Sequence, residues 1–153
     1  MPNPSAPLKV QCPCGEIELQ LTGDPVVQLY CHCDHCQLAH GAAMVPTAVY
    51  RSSDIGITRG EPRVWRVVST PRHSCGNCGT RLFAQGSDEH WGVNAYLLPE
   101  GVFRPTLHIY CKFARLPVVD GLPHYATVPA RWGGTDEVME WPGVVVTAST
   151  GSN

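Results

Sequence analysis

Cys75-Gly-Asn-Cys78, read together with Cys12-Pro-Cys14 far upstream, decides how this chain folds. Zn–S bonds of about 2.3 Å bring neighbouring sulfurs to about 3.8 Å from each other. On a straight strand, residues two apart share a face but sit roughly 6.5–7 Å apart. Two closely spaced thiols therefore share an ion only where the chain bends between them. Pro13 and Gly15 supply turn chemistry at the first pair, and Gly76 and Gly79 supply positive-φ positions at the second. The two pairs together make one closed four-sulfur shell, which marks a structural zinc site. Because they lie far apart in the chain, a shared ion fastens the first hairpin to the middle of the sequence.

Between them stands Cys31-His-Cys-Asp-His-Cys36, with three sulfurs and no obvious fourth. Three protein ligands and an open position are the pattern of catalytic zinc. The alternative is that His32, His35, His40 or Cys111 closes this shell and makes it structural too. The eight cysteines are an even number, which also fits a disulfide framework. Against that, a bridge between near neighbours such as Cys12 and Cys14 closes a small, strained ring. The first residues, Met1-Pro-Asn-Pro-Ser-Ala-Pro7, carry neither a basic region nor an apolar one, so no secretory signal is expected and the thiols should meet a reducing cytoplasm. A thioredoxin-like role for Cys75 and Cys78 fails because no βαβ pattern surrounds them.

The rest of the composition narrows the classes. The chain has 153 residues, the size of one domain. Charged residues make up 16% and the formal net charge is -2, so there is no basic excess for a phosphate backbone and no nucleic-acid partner is expected. No apolar run approaches the ~20 residues that span a bilayer, so no membrane role is expected either. Strand-like alternation appears at Glu16–Leu21, Val26–Tyr30, Ala42–Tyr50, Arg63–Val68, His90–Leu98 and Leu107–Phe113. Pro46 points to an edge position or a bulge in the third of these. The single helical segment is Asp34–His40, with Asp34 as its cap and Gly41 as its end. Val144–Thr147 reads as an added strand and Ser149–Asn153 as a disordered end. The fold class is mainly β: a small zinc-stapled sheet protein with at most short helices.

These residues resemble the glutathione-dependent formaldehyde-activating enzyme family, also called the GFA or CENP-V/GFA domain. The likeness is carried by Cys12-Pro-Cys-Gly15, Cys31-His-Cys-Asp-His-Cys36 with Gly41, Gly60-Glu-Pro62, Trp65-Arg66, Cys75-Gly-Asn-Cys-Gly-Thr-Arg-Leu-Phe83, His108-Ile-Tyr110 and Asp120-Gly-Leu-Pro123. It implies an Mss4-like fold with two zinc ions per chain. One is held by Cys12, Cys14, Cys75 and Cys78, and a catalytic one by Cys31, Cys33 and Cys36. It divides the chain into a tail (1–7), a zinc domain (8–129) and an extension (130–153). It further implies carbon–sulfur lyase chemistry on a glutathione adduct, with glutathione as co-substrate and S-(hydroxymethyl)glutathione formation as the named reaction.

Such a reaction needs a group that moves a proton. His32, Asp34 and His35 lie among the triplet ligands and are the expected catalytic residues, with His40 a further candidate. Arg51, Arg66, Lys112 and Arg115 are candidates for the two carboxylates of glutathione. Trp65, Trp91 and Tyr110 are candidates for a pocket wall. The partner is then a small-molecule thiol adduct, with a homo-oligomer left open. The rival reading is a non-catalytic, zinc-stabilised module of the same fold that holds a protein partner.

Overall fold

Ten short strands and one α-helix make up two sheets in the computed structural model of the chain, which describes residues 6–140. The smaller sheet is antiparallel and orders β1 (Leu8–Gln11), β2 (Glu18–Leu21) and β5 (Ile55–Arg59). The larger one runs β10 (Leu107–Ile109), β3 (Val27–Cys31), β4 (Val45–Arg51), β9 (His90–Asn94), β8 (Arg81–Ala84), β7 (Pro71–Ser74) and β6 (Arg63–Arg66). Every neighbouring pair in it is antiparallel except β10 with β3. Among the described residues, no helix is long and apolar enough to cross a membrane.

Side-chain alternation along the strands separates the two faces of the large sheet. Ala48 and Tyr50 of β4 and Val93 of β9 turn to one face and meet Val10, Leu19 and Leu21 of the small sheet; Ile17 and Leu82 complete that core. Fully burying each leucine or valine contributes about 1.5–3 kcal/mol. Val45, Thr47 and Val49 of β4, with Val27, Leu29 and Cys31 of β3, turn to the other face and line a cavity. Core and cavity thus occupy opposite sides of one sheet. The mainly β fold with a short helix is the one the sequence predicts.

The helix α1 runs from Asp34 to His40, the expected bounds, and Gly41 ends it in the left-handed region at φ 59°. Its cap differs from the expectation. Cys33, not Asp34, takes the N-cap position and its sulfur accepts the Cys36 N–H at 3.2 Å. The strand at Leu107–Phe113 is shorter than expected, because Tyr110 adopts φ 54° and turns the chain into a 3-10 turn over Cys111–Phe113. Likewise β9 stops at Asn94, whose side chain accepts the Tyr96 N–H and starts a turn. Pro46 lies in an inner strand, between β3 and β9, rather than at an edge. It faces Tyr30, but pairing with β9 begins only at Thr47, so the missing N–H falls where no second neighbour exists. The readings at Val144–Thr147 and Ser149–Asn153 lie outside the described residues.

Two cysteine clusters and a cavity

Two tight loops bring the first cluster together. Cys12 and Cys14 sit between β1 and β2, and Cys75 and Cys78 sit between β7 and β8. Gly15 and Gly79 take positive φ, 79° and 74°, as the turns require; Gly76, expected to do the same, does not. The Cys14 sulfur lies 3.5 Å from that of Cys12 and 3.6 Å from that of Cys75, close to the spacing of a tetrahedral four-thiolate ion. Backbone N–H groups of Ile17 and Cys78 donate to Cys12 and Cys75 at 3.3 and 3.5 Å. The Thr80 hydroxyl and backbone hold the Cys78 thiol down at about 6. Four sulfurs, all within 4.8 Å of one another, form a donor set that suits zinc.

The second cluster is built by a strand end running into a helix. Cys31 closes β3, Cys33 caps α1, and Cys36 stands in its first turn. Their sulfurs also lie within 4.8 Å of one another, and the described residues add no fourth ligand to that group. Cys111 is elsewhere; burial first, then the Asp120 charge, pushes its thiol up to about 12. Cys36 is the sulfur of the three that faces a cation, Arg72. Hydrogen bonds from Cys31 and Cys33, then the nearby Arg72 charge, hold the Cys36 thiol down at about 3.

The triplet opens into a cavity of about 810 Å³ on the face of the large sheet opposite the core. Asp34, His35 and His40 line it, as does Tyr110. Burial, then the Arg72 and Arg81 charges, bring the His40 imidazole down to about 4. His32 is not among the lining residues. Its ring is fully buried, with Nε2 2.8 Å from Nδ1 of His108, and Nε2 of His108 lies 2.7 Å from Oδ2 of Asp120. Strand parity explains the direction: Cys31 and Cys33 share a face, so the residue between them turns away.

His108, Asp120 and His124 form a third group with metal-ligand chemistry. The rings of His108 and His124 stack at 4.2 Å and 14°, however, so their in-plane lone pairs run side by side rather than converging on one ion. This group is better described as a hydrogen-bonded chain, Asp120 to His108 to His32, bracing the loop that carries Cys31 and Cys33.

Arg72 is the residue the sequence did not single out. It is 6% exposed, its two terminal nitrogens lie 3.9 and 3.8 Å from the Cys36 sulfur, and no carboxylate among the described residues pairs with it. Of the cations that were expected, Arg51 and Arg66 are exposed, Lys112 sits over the Phe113 ring, and Arg115 donates to Gln37 Oε1 at 2.6 Å. Trp65 and Trp91 stay outside the cavity lining. Instead Trp65 donates to Ser74 Oγ, and its ring lies beneath Arg81. Arg81 in turn donates to the carbonyls of Ala39 and Gly79, tying α1 to the first cluster.

The Arg72 guanidinium favours the ionised form of the Cys36 thiol, the form that binds a metal, and so lessens competition from the proton there. Arg72→Met is expected to weaken zinc retention at the triplet by about 10–100-fold in competition with a chromophoric chelator, with Arg72→Lys recovering part of the loss. Unchanged retention in Arg72→Met would remove this role.

Comparison with known proteins adds three findings. Residues 7–113 match the model of a family described as glutathione-dependent formaldehyde-activating enzyme. A crystal structure of a Rhodobacter sphaeroides protein, a structural genomics target, is similar at a TM-score of 0.52 and 24% identity, covering 61% of this chain and 89% of that one. At that identity the likeness speaks for the fold alone. No curated protein sequence matched.

Proposed function

The chain belongs to the glutathione-dependent formaldehyde-activating enzyme family, and on that footing we propose that it is a zinc-dependent carbon–sulfur lyase. It makes or breaks the C–S bond of a glutathione-type thiol adduct with formaldehyde or another small carbonyl. The observation that carries this reading is a cluster of three thiols, not four, at the wall of a large cavity. Zinc held by Cys31, Cys33 and Cys36 would lower the pKa of an incoming thiol and hold its sulfur.

The chain's own groups do the rest. In the forward direction the S–C bond forms as the C=O π pair moves to oxygen, and that oxygen takes up a proton. Asp34 and His35, which stand between the ligands Cys33 and Cys36 and line the cavity, are placed to carry it. Tyr110 joins them: burial first, and the Cys31, Cys33 and Cys36 charges second, raise its pKa and keep the phenol a donor. His32, turned to His108, orients the ligand loop and does not meet substrate. Arg131, held over the Trp132 ring at the cavity wall, offers a cation to a glutathione carboxylate.

The test pairs composition with rate. Native mass spectrometry should find two zinc ions per chain, and the zinc-loaded protein should form S-(hydroxymethyl)glutathione from formaldehyde and glutathione faster than the spontaneous reaction. A single zinc held by all three cysteine groups, or a rate no greater than the spontaneous one, would overturn the named reaction.

A further inference from the structure

Resting on the lyase reading, we propose that the carbonyl half of the natural adduct is apolar, an alkyl or aryl aldehyde larger than formaldehyde, and that β3 and β4 form the floor it lies on. The two strands pair in register, Cys31 with Val45, Leu29 with Thr47 and Val27 with Val49. All six residues line the cavity. The floor therefore starts at a triplet ligand and runs four residues along the strand, roughly 13 Å at about 3.3 Å per residue. Leu29 and Cys31 are buried with Leu107, and Val27, Val49, Ile109 and Tyr110 pack against that group. The apolar surface is thus continuous with the thiols.

The next strand keeps the floor level. Gly92 of β9 pairs with Val49, and a Cβ built on it would lie 2.7 Å from the Thr47 methyl. Any side chain there has to displace a residue of the floor.

Formaldehyde brings one carbon and makes no use of this surface. Glutathione does not suit it either. Its two carboxylates and its ammonium group would lose hydration against valine and leucine without partners, and the cation that matches a carboxylate, Arg131, lines the cavity outside β3 and β4. A cavity that combines an apolar wall with a few directed polar groups is the usual form of a small-molecule site. What fits beside Cys31 is the carbon chain that leaves the thiol as an aldehyde. In that direction the C–S electron pair stays with sulfur, the hydroxyl proton is lost, and the C=O bond forms, so no oxidant or reductant is needed.

Thioether analogues read the floor without turnover. Calorimetric titration of the zinc-loaded chain with S-methyl-, S-propyl- and S-hexylglutathione should give affinities that climb about two- to fourfold per CH2. The double variant Val27→Thr/Val49→Thr keeps β-branched side chains on both strands and should flatten that climb. Equal affinity along the series, or tightest binding for the methyl compound, would overturn the proposal even if the formaldehyde assay is positive. If no glutathione thioether binds, 1-hexanethiol and 2-mercaptoethanol decide. Preference for hexanethiol upholds the floor while the glutathione reading fails, and equal binding overturns the floor as well.

Discussion

Cys75→Ser is expected to leave the purified chain unfolded at room temperature, with loss of the cooperative thermal transition and of both zinc ions. Cys75 is 2% exposed and Cys12 is fully buried, while Cys14 and Cys78 are exposed, so the cluster joins the core to the surface through its two inner thiols. A structural zinc contributes an apparent ~10–16 kcal/mol in small zinc peptides, whereas a whole domain is stable by only ~5–15 kcal/mol. A serine hydroxyl stays protonated near neutral pH and does not take a thiolate's place. The rest of the local structure does not make up the difference. The first loop is otherwise held by turn hydrogen bonds and by Arg59 donating to the Gly15 carbonyl at 2.9 Å on the surface. Circular dichroism and a zinc count check the expectation. Cys111→Ser is the control: it also removes a buried thiol, but one outside both clusters, and should keep the fold and two zinc ions. A Cys75→Ser protein that melts near the wild-type temperature would show that the core carries the fold without the metal.

The division of cysteines into four and three was legible because metal geometry acts over a few residues. Thiols two or three positions apart, next to Pro13 or Gly79, leave little choice of local shape. Helix α1 was legible for a similar reason, since its end at Gly41 needs a left-handed residue. The direction of His32 was also available, from the rule that alternate residues share a face, once β3 is extended through Cys31. Arg72 was hidden for a different reason. It stands in a four-residue strand, Pro71-Arg-His-Ser74, where the inward positions hold an arginine and a serine and no apolar alternation marks them. A register shift between His73 and Ser74 blurs the pattern further. The turn at Tyr110 had no local signal, because tyrosine gives no hint of a positive φ. What sequence spacing misses here is the pairing between distant strands, and that pairing brings the cation to the thiols.

The contrast with the first variant is Cys36→Ser, expected to bring product formation down to the spontaneous rate and the zinc count from two to one while the chain stays folded. The fold should survive because the contacts that hold α1 do not use this sulfur. Gln37 donates to the carbonyls of His32 and Phe113 at 2.8 and 2.9 Å and accepts from Arg115, while Arg81 donates to the Ala39 carbonyl. The main core lies on the opposite face of the large sheet. The cost falls instead on Arg72, left buried without its anionic partner, a penalty of about 1–3 kcal/mol that lowers the melting temperature by about 2–12 °C. Two thiolates hold zinc poorly, and Cys36 is the thiol that Arg72 faces, at 3.9 and 3.8 Å, so its loss removes the ligand matched to that cation. Cys75→Ser and Cys36→Ser should therefore separate along a single line: the first takes fold and activity together, the second takes activity alone. A Cys36→Ser protein with two zinc ions and the wild-type rate would mean that the triplet is not where the thiol binds.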